Sequence, residues 1–254
     1  LTETDIENSD ATVRARVIPL QTWLDDVEVS AGTLILIRDL TELRDRDRQL
    51  VTKDATIREI HHRVKNNLQT VAALLRLQSR RMSNSDAKDA LKQAMGRVSA
   101  IAVVHEILSQ NFEEQVAFDE VADRILHMVG DVAASSGSVV ARREGSFGEV
   151  PAETATALSL ATTELCQNAI EHSLDSSSGN VIVRPHRTDD ALVVDIVSDG
   201  KPLPEGFSLD NHRSSLGLSI VTTLMQDLGG TFTLEDNSDR VGTCARLVIP
   251  LQRL

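Results

Sequence analysis

The sequence predicts an α+β chain in which a long helical hairpin precedes an α/β sandwich with a mixed sheet, and three observations predict it. From Asp39 to about Met82 neither Pro nor Gly interrupts the chain, and Leu43, Leu50, Ile57, Val64 and Val71 recur at seven-residue intervals. A strict seven-residue apolar repeat keeps one seam of a helix facing a partner helix. After a polar turn at Ser83, Asn84 and Ser85, a second run, Leu91, Ala94, Val98, Ile101, Val104 and Leu108, is spaced at three and four. Beyond Phe112, helix-period segments mix with short β-branched runs, the texture of helices layered on a sheet.

In chain order, the first element is a small sheet. Thr12–Ile18 (TVRARVI) alternates apolar and charged residues, and Gly32–Arg38 (GTLILIR) follows a polar stretch, which fits two strands of a half-exposed antiparallel sheet. A two-stranded hairpin is marginal alone. Residues 1–38, opening on Leu1 and not on Met, therefore read as the tail of a truncated domain. Residues 39–112 form the helical hairpin, which buries one seam by itself, so two chains are expected to pair into a four-helix bundle. Residues 113–254 form the sandwich. Its helices are expected at about Asp119–Ala134, at Pro151 to about His172, where Pro suits the first turn, and at Leu216–Leu228. Its strands are expected at Val139–Arg142, Val181–Arg184, Ala191–Ser198, Thr231–Glu235 and Cys244–Ile249, with a Gly- and Pro-bearing loop over Gly200–Ser215.

Bulk properties narrow the function. A chain of 254 residues suggests two or three compact units. With 41% apolar but 2% aromatic residues, aliphatic side chains must fill the core. The net charge of −12 argues against direct nucleic-acid binding, which needs Lys and Arg clustered on one face. Cys166 and Cys244 sit in apolar patterns without metal-ligand spacing and read as free, reduced and buried, which favours the cytoplasm. No apolar run approaches the roughly 18 residues of a membrane span.

The hairpin's first helix carries Glu59–Gln69, EIHHRVKNNLQ. At about 100° per residue, with Ile57 at zero, the stripe of Ile57, Ile60, Val64, Leu68, Val71 and Leu75 centres near about 340°. His61 falls at about 40°, on the shoulder of that stripe, and His62 at about 140°, almost opposite. Glu59, Asn66 and Gln69 share the side of His62. An exposed imidazole, with an ordinary pKa of about 6.5, is largely neutral in the cytosol and keeps a free lone pair. That is what attack on phosphorus requires, and Glu59 could orient the other ring nitrogen or accept its proton. Such chemistry needs a phosphate donor elsewhere in the chain.

Four stretches supply one. Glu164–His172 (ELCQNAIEH) resembles the N-box helix of the Bergerat-fold (GHKL) ATPases, and Val197–Pro204 (VSDGKPLP) resembles their first glycine box. Ser215–Val221 (SLGLSIV) resembles the second glycine box, and Gly242–Pro250 (GTCARLVIP) the closing strand with its Gly-Thr pair. Together with EIHHRVKNNLQ, residues 55–254 resemble a sensor histidine kinase of two-component systems, of the second HisKA class close to the HWE kinases. Asp39-Leu40-Thr41-Glu42 resembles the exit of a PAS sensor domain, so that residues 1–38 would be its last strands.

The resemblance implies an ATP-dependent protein-histidine kinase, with ATP and Mg²⁺ bound by residues 113–254. The x-H-R-x-K-N pattern puts the phosphoacceptor on His62, in agreement with the helical wheel, with Asn66 and Lys65 beside it. Glu164 and Asn168, one turn apart, share a helix face where a carboxylate and an amide can hold hydrated Mg²⁺ against a triphosphate. The resemblance makes Asn168 the Mg²⁺ ligand, with Glu164 supporting it and His172 within reach of phosphate. Gly217 and Leu218 open a helix toward phosphate, and Gly200, Gly242 and Thr243 belong to the glycine boxes and closing strand.

The chain departs from the family pattern at the adenine site. The D-x-G-x-G motif becomes Ser198-Asp199-Gly200-Lys201-Pro202, so either Asp199 reads adenine after a one-residue shift or Ser198 does so through water. The expectation favours Asp199. Ser215 stands where the second box begins with Gly. The implied partners are a second copy of the chain, through the hairpin, and a response-regulator receiver domain, in a class whose regulators often carry an RNA-binding antiterminator domain. Two rivals stand beside this reading. An anti-sigma-type serine kinase on the same ATPase would lack the hairpin, so residues 41–110 count against it. The other is a non-catalytic dimeric adaptor whose altered glycine boxes no longer hold ATP.

Overall fold

The structure, a computed structural model, describes residues 2–8, 11–24, 27–109, 115–134, 138–174, 178–209, 216–238 and 241–251. Contacts divide the chain into two compact units, Leu1–Ile57 and Arg58–Leu254. The hairpin boundaries expected at 38/39 and 112/113 are not where this division falls, and residues 110–114 lie outside the described ones.

The first unit holds an antiparallel sheet of β1 (Thr2–Glu7), β2 (Thr12–Leu24) and β3 (Val27–Asp39), in the order β1-β2-β3. The two strands expected from sequence are β2 and β3, and β1 is added to them. Its single Ile in a charged run leaves no apolar period to read, and an ion pair from Arg14 Nε to Asp5 Oδ1 at 2.7 Å ties it to β2. The helix α1 (Thr41–Arg81) begins where Asp39 caps it. Asp39 Oδ1 accepts the Thr41 hydroxyl at 2.6 Å and the Thr41 amide at 2.9 Å, and these bonds hold the carboxyl below its ordinary pKa. Helix α1 then runs on into the second unit.

The second unit continues with α2 (Ser85–Leu108), capped by Asn84, whose Oδ1 accepts the amides of Asp86 at 2.8 Å and Ala87 at 3.3 Å. The sandwich follows as β4 (Gln115–Ala117), α3 (Phe118–Ala134), β5 (Ser138–Arg143), β6 (Glu149–Pro151) and α4 (Ala152–Asn168). Helix α4 ends in a π-helical turn, Ala169–Ser173, and the chain proceeds through β7 (Ser178–Arg187) and β8 (Ala191–Ser198). Helix α5 (Leu216–Asp227), β9 (Thr231–Asp236) and β10 (Thr243–Pro250) complete it. The main sheet has the order β5-β7-β8-β10-β9, with β5 and β7 parallel and the remaining pairs antiparallel. This is the mixed sheet of the expected architecture. The short β4 and β6 pair separately and have no counterpart in the expected elements.

The core follows from strand alternation. Leu192, Val194, Ile196 and Ser198 are the buried positions of β8, every second residue, and they face the helix layer with Leu247 and Ile249 of β10. Leu158 and Leu165 of α4 and Val221 and Met225 of α5 belong to the same cluster. So do Ala100, Val104, Ile107 and Leu108 of α2, so the hairpin's second helix helps build the sandwich core. Phe118 and Phe147 meet edge to face at 4.8 Å. Cys166 is fully buried, and burial pushes its thiol up to about 12, which makes it a packing group rather than a nucleophile. Among the described residues, no helix is long and apolar enough to cross a membrane.

Candidate functional site

Adjacent residues on a helix point about 100° apart, so α1 can turn only one of its two histidines toward α2. The half-buried one is His61, whose Nδ1 lies 2.9 Å from Nδ1 of His105 on α2. The rings are 5.2 Å apart and tilted by 38°. Two ring nitrogens in contact need one N–H and one lone pair, so both rings cannot be protonated there. Burial lowers both pKa values below the ordinary histidine value, and for His105 the neighbouring His61 adds to the effect. His62 is exposed to solvent.

The neighbours of His62 are arranged differently from expectation. Glu59, expected to orient His62, instead accepts Arg63 Nε at 2.7 Å, because the i,i+4 spacing lays the guanidinium over the carboxylate. Lys65, expected beside an incoming phosphate, donates to Glu106 of α2 at 2.8 Å, and Glu106 accepts Arg124 of α3 at 3.2 Å. The Lys65 bond, with Arg124 reinforcing it, holds the Glu106 carboxyl below its usual range. Asn66 is exposed, and its carbonyl accepts the Thr70 hydroxyl at 3.0 Å. Thus His61, Lys65, His105, Glu106 and Arg124 tie α1, α2 and α3 together, while His62 and Asn66 stay on the open side.

A second cluster gathers on α4. Glu164 is 3% exposed, and its carboxylate accepts both Nε of Arg97 at 2.7 Å and Nη2 of Arg97 at 2.8 Å. Asn168 lies one turn on, and its Nδ2 is buried without a hydrogen-bond partner among the described residues. Gly217, in the first turn of α5, closes over both, since a Cβ there would stand 2.6 Å from Glu164 Oε2 and 3.6 Å from Asn168 Nδ2. Residues predicted from two separate motifs are therefore brought together, and an orphaned amide beside a carboxylate is a fitting place for phosphate oxygen and a hard cation. Leu218 is partly buried and packs against the core, and His172 is exposed in the π-helical turn. Ser215 and the rest of residues 210–215 lie outside the described residues.

At the end of β8, Ser198 is the buried side chain, its hydroxyl 2.9 Å from that of Thr243 and accepting the Thr243 amide at 3.3 Å. Asp199, expected to read adenine, is exposed and turned to β7. Its Oδ1 accepts the Asn180 amide at 2.6 Å and its Oδ2 the Asn180 side chain at 2.5 Å. The strand's two-residue period is the reason, because only one of two successive side chains can face the core. Gly242 has φ +138, and a Cβ there would collide with the Ser198 carbonyl, so the Gly-Thr pair docks backbone to backbone on β8. Gly200 is half-buried in the bend beyond β8.

Sequence reasoning missed Arg97, His105 and Asn180. The available signals were faint: Arg97 follows Gly96 in mid-helix, and His105 is the one imidazole of α2.

A family model described as "Histidine kinase" matches residues 59–133, and one described as "Histidine kinase-, DNA gyrase B-, and HSP90-like ATPase" matches residues 153–253. The sensor histidine kinase PdtaS of Mycobacterium tuberculosis is 48% identical over 252 residues, covering 98% of this chain and 49% of that protein. PdtaS of Mycolicibacterium smegmatis is 45% identical over the same shares. The chain thus spans about half the length of the curated relatives it matches. Among solved structures, the histidine kinase domain of a blue-light-activated histidine kinase from Erythrobacter litoralis has a TM-score of 0.56 at 26% identity, covering 82% of this chain and 94% of that one.

Proposed function

We propose, for a chain that belongs to the sensor histidine kinases and joins a histidine kinase segment to a GHKL ATPase segment, that it transfers the γ-phosphoryl group of ATP to His62. The phosphoryl group then passes to an aspartate of a separate response-regulator receiver domain. The observation that carries this reading is the division of labour in the double histidine: His61 is held against His105, while His62 stays exposed.

A ring lone pair of His62 attacks the γ-phosphorus, the bond from phosphorus to the bridging oxygen breaks, and ADP leaves with the electron pair. The ring proton passes to water or to Glu59, which an exposed bond to Arg63 holds only weakly. We assign Asn168, with Glu164, to hold Mg²⁺, and the orphaned Asn168 amide to a phosphate oxygen. Mg²⁺, when bound, neutralises charge on the triphosphate. His172, Gly217, Leu218 and Gly200 border the phosphate side. The buried Ser198–Thr243 hydroxyl pair, rather than Asp199, is our assignment for the base.

We further propose that two chains pair through the hairpin, that residues 1–38 belong to a PAS sensor domain, and that the protein works in the cytoplasm on a regulator of the RNA-binding antiterminator type. One observation favours a second reading, a non-catalytic adaptor. The inward position at the end of β8 carries a hydroxyl, Ser198, where the family has a carboxylate.

The test is incubation with γ-labelled ATP and Mg²⁺. An acid-labile, alkali-stable phosphoprotein is expected, lost in His62→Gln and largely kept in His61→Gln. Label that survives in His62→Gln moves the acceptor elsewhere, and no label in the wild type favours the adaptor.

A further inference from the structure

The carboxylate beside Asn168 is buried, and a residue of the hairpin already holds it. Arg97 belongs to α2, and its fork donates to both oxygens of Glu164, at 2.7 and 2.8 Å. Oε2, one of those two, is also the oxygen nearest the α5 glycine, at 2.6 Å from where a Gly217 Cβ would be.

The surrounding contacts bring α2 to this point. A Cβ on Gly96 would stand 2.5 Å from Nε2 of Gln167, so the mid-helix glycine makes room for α4. One turn earlier, Gln93 donates to Glu171 at 3.2 Å, and one turn later Ala100 is fully buried in the shared core. Helix α2 therefore runs along α4 past Glu171, Gln167 and Glu164 in turn, and delivers a guanidinium to the last of them. A bidentate guanidinium takes one lone pair on each carboxylate oxygen, and a divalent ion brought to the lone pairs that remain sits beside that guanidinium and meets like charge.

We propose that Arg97 is a displaceable occupant of the metal-facing carboxylate: it and the Mg²⁺–triphosphate compete for Glu164, so docking of α2 on α4 through Arg97 and loading of nucleotide oppose each other. This rests on the nucleotide site proposed above. It makes Arg97 a positioning residue acting through Glu164 rather than a group that touches substrate. Linkage makes the effect reciprocal. If removing Arg97 tightens metal-nucleotide binding, metal-nucleotide must loosen the Arg97 contact by the same factor.

The experiment is calorimetric titration of the full chain with a non-hydrolysable ATP analogue, with Mg²⁺ and again in EDTA. The proteins are wild type, Arg97→Gln, Arg97→Lys, Glu164→Gln and the Arg97→Gln/Glu164→Gln double variant. With Mg²⁺, Arg97→Gln is expected to bind about tenfold more tightly than wild type, within the usual range of coupling between sites, and Arg97→Lys at an intermediate strength. In EDTA the gain is expected to vanish, and on the Glu164→Gln background Arg97→Gln should add nothing. Hydrogen exchange of residues 93–100 provides a readout independent of affinity. Metal-nucleotide should accelerate it in wild type, where Arg97 is still present to be displaced. If Arg97→Gln proves too unstable to titrate, Arg97→Lys and the exchange measurement decide the matter. Equal or weaker Mg²⁺-dependent binding in the Arg97 variants, or unchanged or slower exchange in wild type, overturns the competition while leaving the nucleotide site standing. Absence of nucleotide binding in every protein removes the site and the competition with it.

Discussion

Two glycines on the same pair of interfaces show how a single missing Cβ can carry opposite weight. At Gly217 the added carbon would meet Glu164 Oε2 at 2.6 Å, and that oxygen is fixed by the 2.8 Å bond from Arg97. At Gly96 it would meet Gln167 Nε2 at 2.5 Å, the far end of a long side chain that no charge pair fixes among the described residues. Overpacking against fixed atoms costs roughly 1–3 kcal/mol, whereas replacing a mid-helix Gly by Ala returns about 1 kcal/mol of backbone entropy. Gly217→Ala is therefore expected to lower the melting temperature and weaken metal-nucleotide binding severalfold. Gly96→Ala should leave stability unchanged or slightly raised. Thermal melts of the two variants side by side check this, and a Gly217→Ala protein as stable as wild type would mean that Glu164 is free to move. The same scale explains what the sequence could disclose about the site. Glu164 and Asn168 were legible because a one-turn spacing puts them on one face. Arg97 was not, because its partner is 67 residues away and pairing across two helices leaves no local spacing to read. Ser198 and Asp199 stayed ambiguous until the strand's phase fixed which of them turns inward.

At the scale of elements, the long periodic segments were legible and the short ones were not. Helix α1 declared itself by its repeat, and β7 to β10 by β-branched alternation. Strands β4 and β6 are three residues each and bury one residue apiece, Val116 and Val150, which is too little for a period to show. The join between α1 and α2 includes two polar contacts, His61–His105 and Lys65–Glu106, and the histidine pair gives it a pH dependence. Both histidines have folded pKa values below the ordinary 6.5. As the pH falls through that value, the unfolded chain takes up protons that the folded chain refuses, so stability declines toward lower pH. The charged groups around the pair do not reverse this sign. Glu106 is held below the usual carboxylate range by Lys65 and stays anionic in this window. His105→Leu is thus expected to narrow the loss of melting temperature between about pH 7.5 and pH 5.5. Thermal melts across that range measure it, and an unchanged slope would remove the pair as the source.

At the scale of the whole molecule, the apolar seam of α1 is divided. On the second unit's part of the helix, His61, Val64, Leu68, Ala72 and Leu75 are half-buried, whereas Ile60 (54%), Val71 (43%), Leu74 (57%) and Leu77 (52%) are exposed in the single chain. An apolar stripe continued over several turns is costly to leave in water, at about 25 cal/mol per Å². A helix surface that keeps such a stripe beside a half-buried one is built to pack on more than one neighbour. The seven-residue repeat states which kind of neighbour, a helix with a matching seam, and a second copy of the chain offers one. Placing charge on the open stripe, as in Val71→Glu with Leu74→Glu, is therefore expected to convert a dimer into a monomer. The substitutions touch neither the Arg97–Glu164 pair nor the His61–His105 pair, so the sandwich should keep its fold and its far-ultraviolet spectrum. Light scattering after size exclusion reads the outcome against the chain mass of 27.7 kDa. Wild type should elute at twice that mass and the double variant at once. A wild type that is already monomeric at micromolar concentration would mean that the stripe is covered by something other than its own copy, and the four-helix arrangement would have to be given up.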